Sequence, residues 1–132
     1  MTGVWQRFGK FNLVGAIGAT LQLLLFTLLQ RGLHWSAEVA AVFAVEIAVL
    51  HNFAWHERFT WSDRGLRDLR RRIVRLGRFH VGNGLVSLVG NAVLTHVLVD
   101  WLQAPAVPSA MAAIALCAPA NFLLANRWVY AR

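Results

Sequence analysis

The chain is poor in the residues on which most soluble proteins and most enzymes rely. Of 132 residues, 6 are acidic, 3 are proline, 1 is cysteine and 1 is tyrosine. With Cys117 as the single cysteine, neither an intrachain disulfide nor a cysteine-based metal site is possible. The few carboxylates form no paired acid–base site, and no Ser-His-Asp set, phosphate loop or dinucleotide loop is legible. His51, His56 and Glu57 superficially suggest a zinc-protease helix, but the histidines are five apart where one helical face needs four, and no third ligand is evident. Nothing in the chain argues for an enzyme, a bound metal or a cofactor.

Hydrophobic residues, by contrast, make up 58% of the chain and charged residues only 14%. A domain this small could not hide so much apolar surface from water. Runs of the ~20 residues needed to cross a bilayer occur at Phe11–Leu29, Ala37–Trp55, Val81–Val99 and Val107–Ala125. Only the second run holds acids, Glu38 near its start and Glu46 within. The first run is longer than the apolar part of a secretory signal, lacks a small-x-small cleavage site, and is followed by further spans, so it is expected to be retained. The expected fold is an all-α integral membrane protein with four transmembrane helices, one membrane domain over residues 1–132.

The net charge of +7 becomes informative once it is placed along these spans. Arg7 and Lys10 precede the first; Arg58, Arg64, Arg67, Arg70, Arg71, Arg72, Arg75 and Arg78 lie between the second and third; Arg127 and Arg132 follow the fourth. Arg31 alone falls on the other side. By the positive-inside rule both termini and the 62–78 loop are cytoplasmic, so the protein is expected in the cytoplasmic (inner) membrane, N-in and C-in. The Arg64–Arg78 cluster orients the protein and meets anionic membrane lipids; no base-reading element accompanies it, which argues against nucleic acid. Trp5, Trp55, Trp61, Trp128 and Tyr130 suit an aromatic belt on the inner side, Trp35 and Trp101 one on the outer side. Pro105 and Pro108 suit the start of the fourth helix, whereas Pro119 inside it should kink it.

The chain also repeats itself. His51-Asn52-Phe53-Ala54-Trp55-His56-Glu57-Arg58-Phe59-Thr60-Trp61 is echoed 69 residues later by Ala120-Asn121-Phe122-Leu123-Leu124-Ala125-Asn126-Arg127-Trp128-Val129-Tyr130. Arg7-Phe8-Gly9-Lys10-Phe11 resembles Arg75-Leu76-Gly77-Arg78-Phe79, and Gly15 with Gln22 is echoed by Gly84 with Asn91. Two helical-hairpin repeats result, about 7–61 and 75–130, joined by the basic loop 62–78. With two spans in each, the repeats share an orientation and an inverted arrangement is excluded.

Polar residues inside the spans follow helical spacing. Gly15, Gly18, Ala19 and Gln22 line one face of the first span; His80, Asn83, Ser87, Asn91 and Thr95 line one face of the third. Such faces are costly against lipid and should turn inward, either to pack helices or to line a polar path. Glu46 shares a face with Val39, Val42, Val49, Leu50 and Phe53. It is a candidate coupling carboxylate or a structural one, bonded to a neighbouring helix or a second subunit. Arg58 and Arg127 each follow an asparagine by six residues and precede an aromatic; they either snorkel to lipid headgroups or offer a forked grip on a phosphate.

The Arg7-Phe8 to Gly18 opening, the Glu46-Ile47-Ala48 to Trp61 exit and the Asn121 to Tyr130 close resemble the GtrA-like family over nearly the whole chain. Gln22 stands where that family usually has asparagine, and His80 and Gly82 interrupt the usual start of the third span, while Asn83 and Ser87 are kept. The resemblance implies a small four-span protein of cell-surface polysaccharide synthesis, acting as a flippase or flippase subunit for a polyprenyl-phosphate-linked sugar. The alternative it leaves is a non-transporting anchor for a polyprenyl-phosphate glycosyltransferase; a small multidrug-type exporter fits the span count but not the fixed charge bias. On the first reading Arg58 and Arg127 bind the phosphate, and Gln22, Asn52, Asn83, Ser87, Asn91 and Asn121 line the polar pathway. A membrane-associated glycosyltransferase and a second copy of the chain are the expected protein partners.

Overall fold

A computed structural model describes residues 3–64 and 68–131; Arg67 of the basic loop, and both Met1 and Arg132, lie outside the described residues. Among the described residues every regular element is helical. Four stretches are long and apolar enough to cross a membrane: Val4–Gly32, Val39–Thr60, Leu69–Trp101 and Met111–Val129. The chain divides into two compact units, Met1–Gly65 and Leu66–Arg132.

In the first unit, α1 (Val4–Thr27) runs on into a π turn, Leu28–Gly32. A short connection leads to α2 (Ala37–Trp55), whose amino end is capped by Ser36, Oγ accepting from Val39 N at 3.4 Å. This helix too ends in a π turn, His56–Thr60, then a single 3₁₀ turn at Ser62–Arg64. The contact between the helices is made by small residues. Ala40, Ala44 and Ala48 are buried four residues apart on α2, and Val14 and Gly18 on α1 are buried with them. Small side chains at this spacing let two helix backbones approach closely, which is how apolar helices gain dispersion contact without a hydrophobic driving force. The stripe continues into Asn52 and His56, so the packed face is not the one that carries Trp55, which is 52% exposed.

The second unit follows the same plan with one irregularity. Here α3 (Leu69–Leu85), a π turn at Val86–Gly90, α4 (Asn91–His96) and a second π turn at Val97–Trp101 form one continuous helix of 33 residues. Asp68 caps its start, Oδ1 accepting from Arg70 N at 3.0 Å. After a short connection comes α5 (Ala106–Leu124), closed by the π turn Ala125–Val129. The helix continues through Pro119. Its buried stripe is Ser109, Ala113, Cys117 and Ala125, with Asn121 between the last two. Each member stands 69 residues after Ala40, Ala44, Ala48, His56 and Asn52 in turn.

The connections match as well. His34 (φ 55°) and Gln103 (φ 54°) both adopt the left-handed conformation just past a π turn. Leu33 N donates to Leu28 O at 3.2 Å and Leu102 N to Val97 O at 3.1 Å; Trp35 N donates to Leu29 O at 3.1 Å and Ala104 N to Leu98 O at 2.9 Å. A residue in this conformation turns the chain back so that the amides after it reach carbonyls the helix end would otherwise leave unpaired.

Where the repeats differ by one residue, the helix shows it. Phe11 and Phe79 are matched buried aromatics 68 residues apart, while Asn52 and Asn121 are 69 apart. The extra residue falls in the span that carries the π turn Val86–Gly90, for which uninterrupted α1 has no counterpart. A single added residue is absorbed by letting one turn bond five residues back, keeping the faces on either side in register.

Candidate functional site

Two features of each unit place polar groups where the long helices are otherwise apolar: an intrahelical asparagine and a clasp at the end where the second helix exits.

The asparagines stand at the same place in each repeat. Asn52 lies against Gly18, where an added Cβ would overlap its amide. His51 Nδ1 lies 3.2 Å from Asn52 Oδ1. An amide oxygen only accepts, so in the tautomer that makes this bond Nδ1 donates and Nε2 is left for another partner. In the second unit Asn121 Nδ2 donates to Ser87 Oγ at 3.0 Å. Asn121 Oδ1 and Asn91 Oδ1 are buried and accept no hydrogen bond among the described residues. Buried acceptors without donors are costly, and each is a place for a hydroxyl or water to bind.

The clasps join the start of one helix to the end of the next. Lys10 Nζ donates to Phe59 O at 3.3 Å and sits 4.6 Å from the centroid of the Phe59 ring. Arg78 Nη1 donates to Trp128 O at 3.3 Å, its guanidinium 5.8 Å from that indole. A cation thus engages both the carbonyl and the π face of one residue in the terminal turn. Beneath each clasp an aromatic is fully enclosed, Trp61 in the first unit and Tyr130 in the second. Their backbone amides donate to His56 O and Ala125 O, both at 2.8 Å.

Around this shared frame the first unit is far more polar. Phe11 stacks on His56 at 4.8 Å, and Trp61 meets the imidazole edge-on at 5.4 Å. His56 Nδ1 and Thr60 Oγ1 share a hydrogen bond of 3.0 Å, and Arg7 Nη2 donates to Asp63 Oδ2 at 2.6 Å. His56, Glu57 and Thr60 are all within 2% of full burial. In the second unit the corresponding residues are Ala125, Asn126 and Val129, and Arg75 lies 5.6 Å from the centroid of the Tyr130 ring. Sequence reasoning set His56 and Glu57 aside once the zinc motif failed. The signal that could have found them is the 69-residue echo, which pairs an ionisable His-Glu with Ala-Asn at buried positions.

Of the residues singled out from sequence, Gln22, Glu46, Asn52 and Arg58 belong to the first unit, and Asn83, Ser87, Asn91, Asn121 and Arg127 to the second. Arg58 and Arg127 are exposed, and among the described residues neither forms a hydrogen bond or ion pair. Arg58, Ala54 and Trp55 line a depression of about 240 Å³. His80, Asn83, Ser87, Asn91 and Thr95 are all half-buried. The first-span stripe is less uniform: Gly18 is packed, Gly15 faces open space and Ala19 is exposed. Glu46 is exposed with Val39, Val42 and Leu50, but Phe53, expected on that face, is buried. Among the described residues no three His, Cys, Asp or Glu side chains come together.

Residues 10–130 match the family described as GtrA/DPMS, transmembrane domain. The chain belongs to that family. Comparison with curated proteins finds no match. A GtrA/DPMS transmembrane domain is a multi-pass membrane module whose context is lipid and polyprenyl-phosphate sugar. Within this GtrA/DPMS domain both exit arginines and both asparagines lie inside the matched residues, as do the clasps that hold them.

Proposed function

We propose that this protein is a flippase, or the membrane subunit of one, that moves a polyprenyl-phosphate-linked sugar across the cytoplasmic membrane for envelope glycosylation, and that it makes or breaks no covalent bond. The observation that carries this reading is the pair of exit arginines. Each terminal turn is locked by its clasp, yet Arg58 and Arg127 are exposed and among the described residues bond no group. A guanidinium left open at the membrane interface suits the phosphate of a lipid, which it can grip through two oxygens. A sugar crossing the apolar core would desolvate several hydroxyls, so a path needs hydrogen-bonding groups of its own. In the second unit the buried Asn91 and Asn121 acceptors, the Ser87 hydroxyl and the Asn83 amide supply them. Glu46 is then the carboxylate best placed to couple the movement to an ion. A homo-oligomer and an associated glycosyltransferase complete the assembly we envisage.

The test is reconstitution in liposomes with a short-chain polyprenyl-phosphate sugar, binding and transbilayer movement being scored separately. Arg58→Ala with Arg127→Ala should abolish binding, and Asn91→Leu should retain binding and slow movement. Binding without movement under an imposed ion gradient, with the glycosyltransferase present, would establish the anchor reading instead. Unchanged binding in the double arginine variant would sink the phosphate site.

A further inference from the structure

The depression beside Arg58 is walled by an indole that the second repeat does not keep at the matching position. Along one face of α2, at the end where it becomes the terminal turn, stand His51, Trp55 and Arg58, spaced four and three residues apart. The Trp55 indole is held on both sides, 6.2 Å from the His51 ring and 6.4 Å from the Phe59 ring between centroids. It nonetheless remains 52% exposed, and with Ala54 and Arg58 it forms the wall of the depression. His51 has its Nδ1 engaged by Asn52, which leaves Nε2 for a further hydrogen bond. The matching residues 69 positions on are Ala120, Leu123, Leu124 and Arg127, so the second repeat keeps the guanidinium and lacks both the indole and the imidazole.

We propose that this face of the first repeat is a sugar-binding subsite: Arg58 holds the lipid phosphate, the C–H face of the attached hexose stacks on Trp55, and His51 Nε2 accepts from a sugar hydroxyl. The inference rests on the lipid-linked-sugar reading above and adds to it where the sugar is recognised. Its chemistry is that of a carbohydrate and not of an acyl or isoprenoid chain alone. A pyranose ring has an apolar face of C–H bonds that meets the electron-rich face of an indole, and an edge of hydroxyls that needs acceptors and donors. Indole, imidazole and guanidinium in line offer one group for each part. At 1.5 Å per residue the seven positions from His51 to Arg58 span about 10 Å, the length of a hexose and its phosphate. A belt tryptophan serving only to anchor the helix would need neither the imidazole nor the arginine on its own face. The direction also follows: with Arg58 at the interface and His51 two turns deeper, the bound sugar has already turned into the membrane.

The experiment compares two probes on the full chain in nanodiscs: farnesyl phosphate, and farnesyl phosphate esterified at the phosphate with each of glucose, mannose and galactose. Wild type should bind at least one hexosyl ester more tightly than farnesyl phosphate. Trp55→Leu and His51→Leu should each cut the affinity for that ester about five- to tenfold, the size of one lost stacking or hydrogen-bonding partner, and leave farnesyl phosphate within about twofold. Trp55→Phe should restore most of the preference, and Arg58→Gln should weaken both probes alike. Equal loss for both probes in Trp55→Leu would make the indole an anchor for the isoprenoid or the bilayer and overturn the subsite, as would wild-type binding with no preference for any ester. Wild type that binds no probe, farnesyl phosphate included, would remove the lipid-phosphate reading itself and the subsite with it.

Discussion

Glycine shows best what single residues decide in this molecule. Gly15 and Gly18 stand one turn apart in the same small-residue stripe and are indistinguishable by composition. In the structure a Cβ at Gly15 would meet nothing within 4 Å, whereas one at Gly18 would collide with the Asn52 amide. The sequence shows a face but not how near the neighbour comes, because that depends on the crossing of two helices and on a residue 34 positions away. Gly90 gives the sharpest test. A Cβ there would lie 2.7 Å from Cys117 Sγ, closer than any real contact, with little room for a buried thiol to retreat. Gly90→Ala should therefore destabilise the protein by about 1–3 kcal/mol through overpacking. Cys117→Ala removes the colliding sulfur, so in the double variant most of that loss should be recovered, a coupling that thermal unfolding of the four proteins of the cycle in one detergent would measure. Additive losses would mean that the two residues do not touch. Arg127→Lys belongs to the same scale: the point charge is kept and the fork is lost, so membrane insertion should persist while phosphate-lipid affinity falls by roughly 1.5–3 kcal/mol, read by binding in nanodiscs.

At the scale of elements, much was written openly in the chain. Uncharged runs of sufficient length mark the spans because a bilayer leaves no alternative to a continuous helix for satisfying backbone groups. The Asn-Phe and Arg-aromatic echoes likewise mark two like exits. What was not legible is how the exits close. The Lys10–Phe59 and Arg78–Trp128 clasps join positions about fifty apart, and nothing local in the sequence selects the partner. Nor do the π turns announce themselves, since one residue too many in an apolar helix leaves its composition unchanged. The extra residue shows only as the change from a 68- to a 69-residue spacing between the two repeats. A deletion test follows. Removing Leu88, 76% exposed in the π turn of the third span, should convert that turn to ordinary helix and leave both flanking faces where they were. Removing Leu23, 67% exposed in uninterrupted α1, should rotate everything beyond it by a whole residue and break the packing on α2. Expression and monodispersity in detergent should be near wild type for the first deletion and lost for the second. Equal tolerance of both would show that the π turn carries no surplus residue.

For the whole molecule the decisive quantity is the distribution of charge, since the fold of each unit would be the same whichever way the protein faced. Thirteen lysines and arginines are present, and among the described residues Arg31 alone stands at an unclasped end, in the π turn Leu28–Gly32; the other described ones stand at or beyond the clasped ends. Lysine and arginine near span ends resist translocation, so such a bias orients every molecule alike. The proposed flippase function needs that fixed orientation, for on that proposal the exit arginines meet newly made lipid-linked sugar on the side where it is synthesised. The clasped ends, with Ser62 just past the first of them, should therefore face the cytoplasm, and the connections at His34–Ser36 and Gln103–Ala104 the outside. In a Cys117→Ser background, single cysteines at Ser36 or Ala104 should react with a membrane-impermeant thiol reagent in intact cells, while Ser62→Cys should react only after the cells are permeabilised. Labelling of Ser62→Cys in intact cells would invert the protein. It would place Arg58 and Arg127 on the side where the cargo is delivered, and the two arginines would then have to release phosphate where we have them capture it.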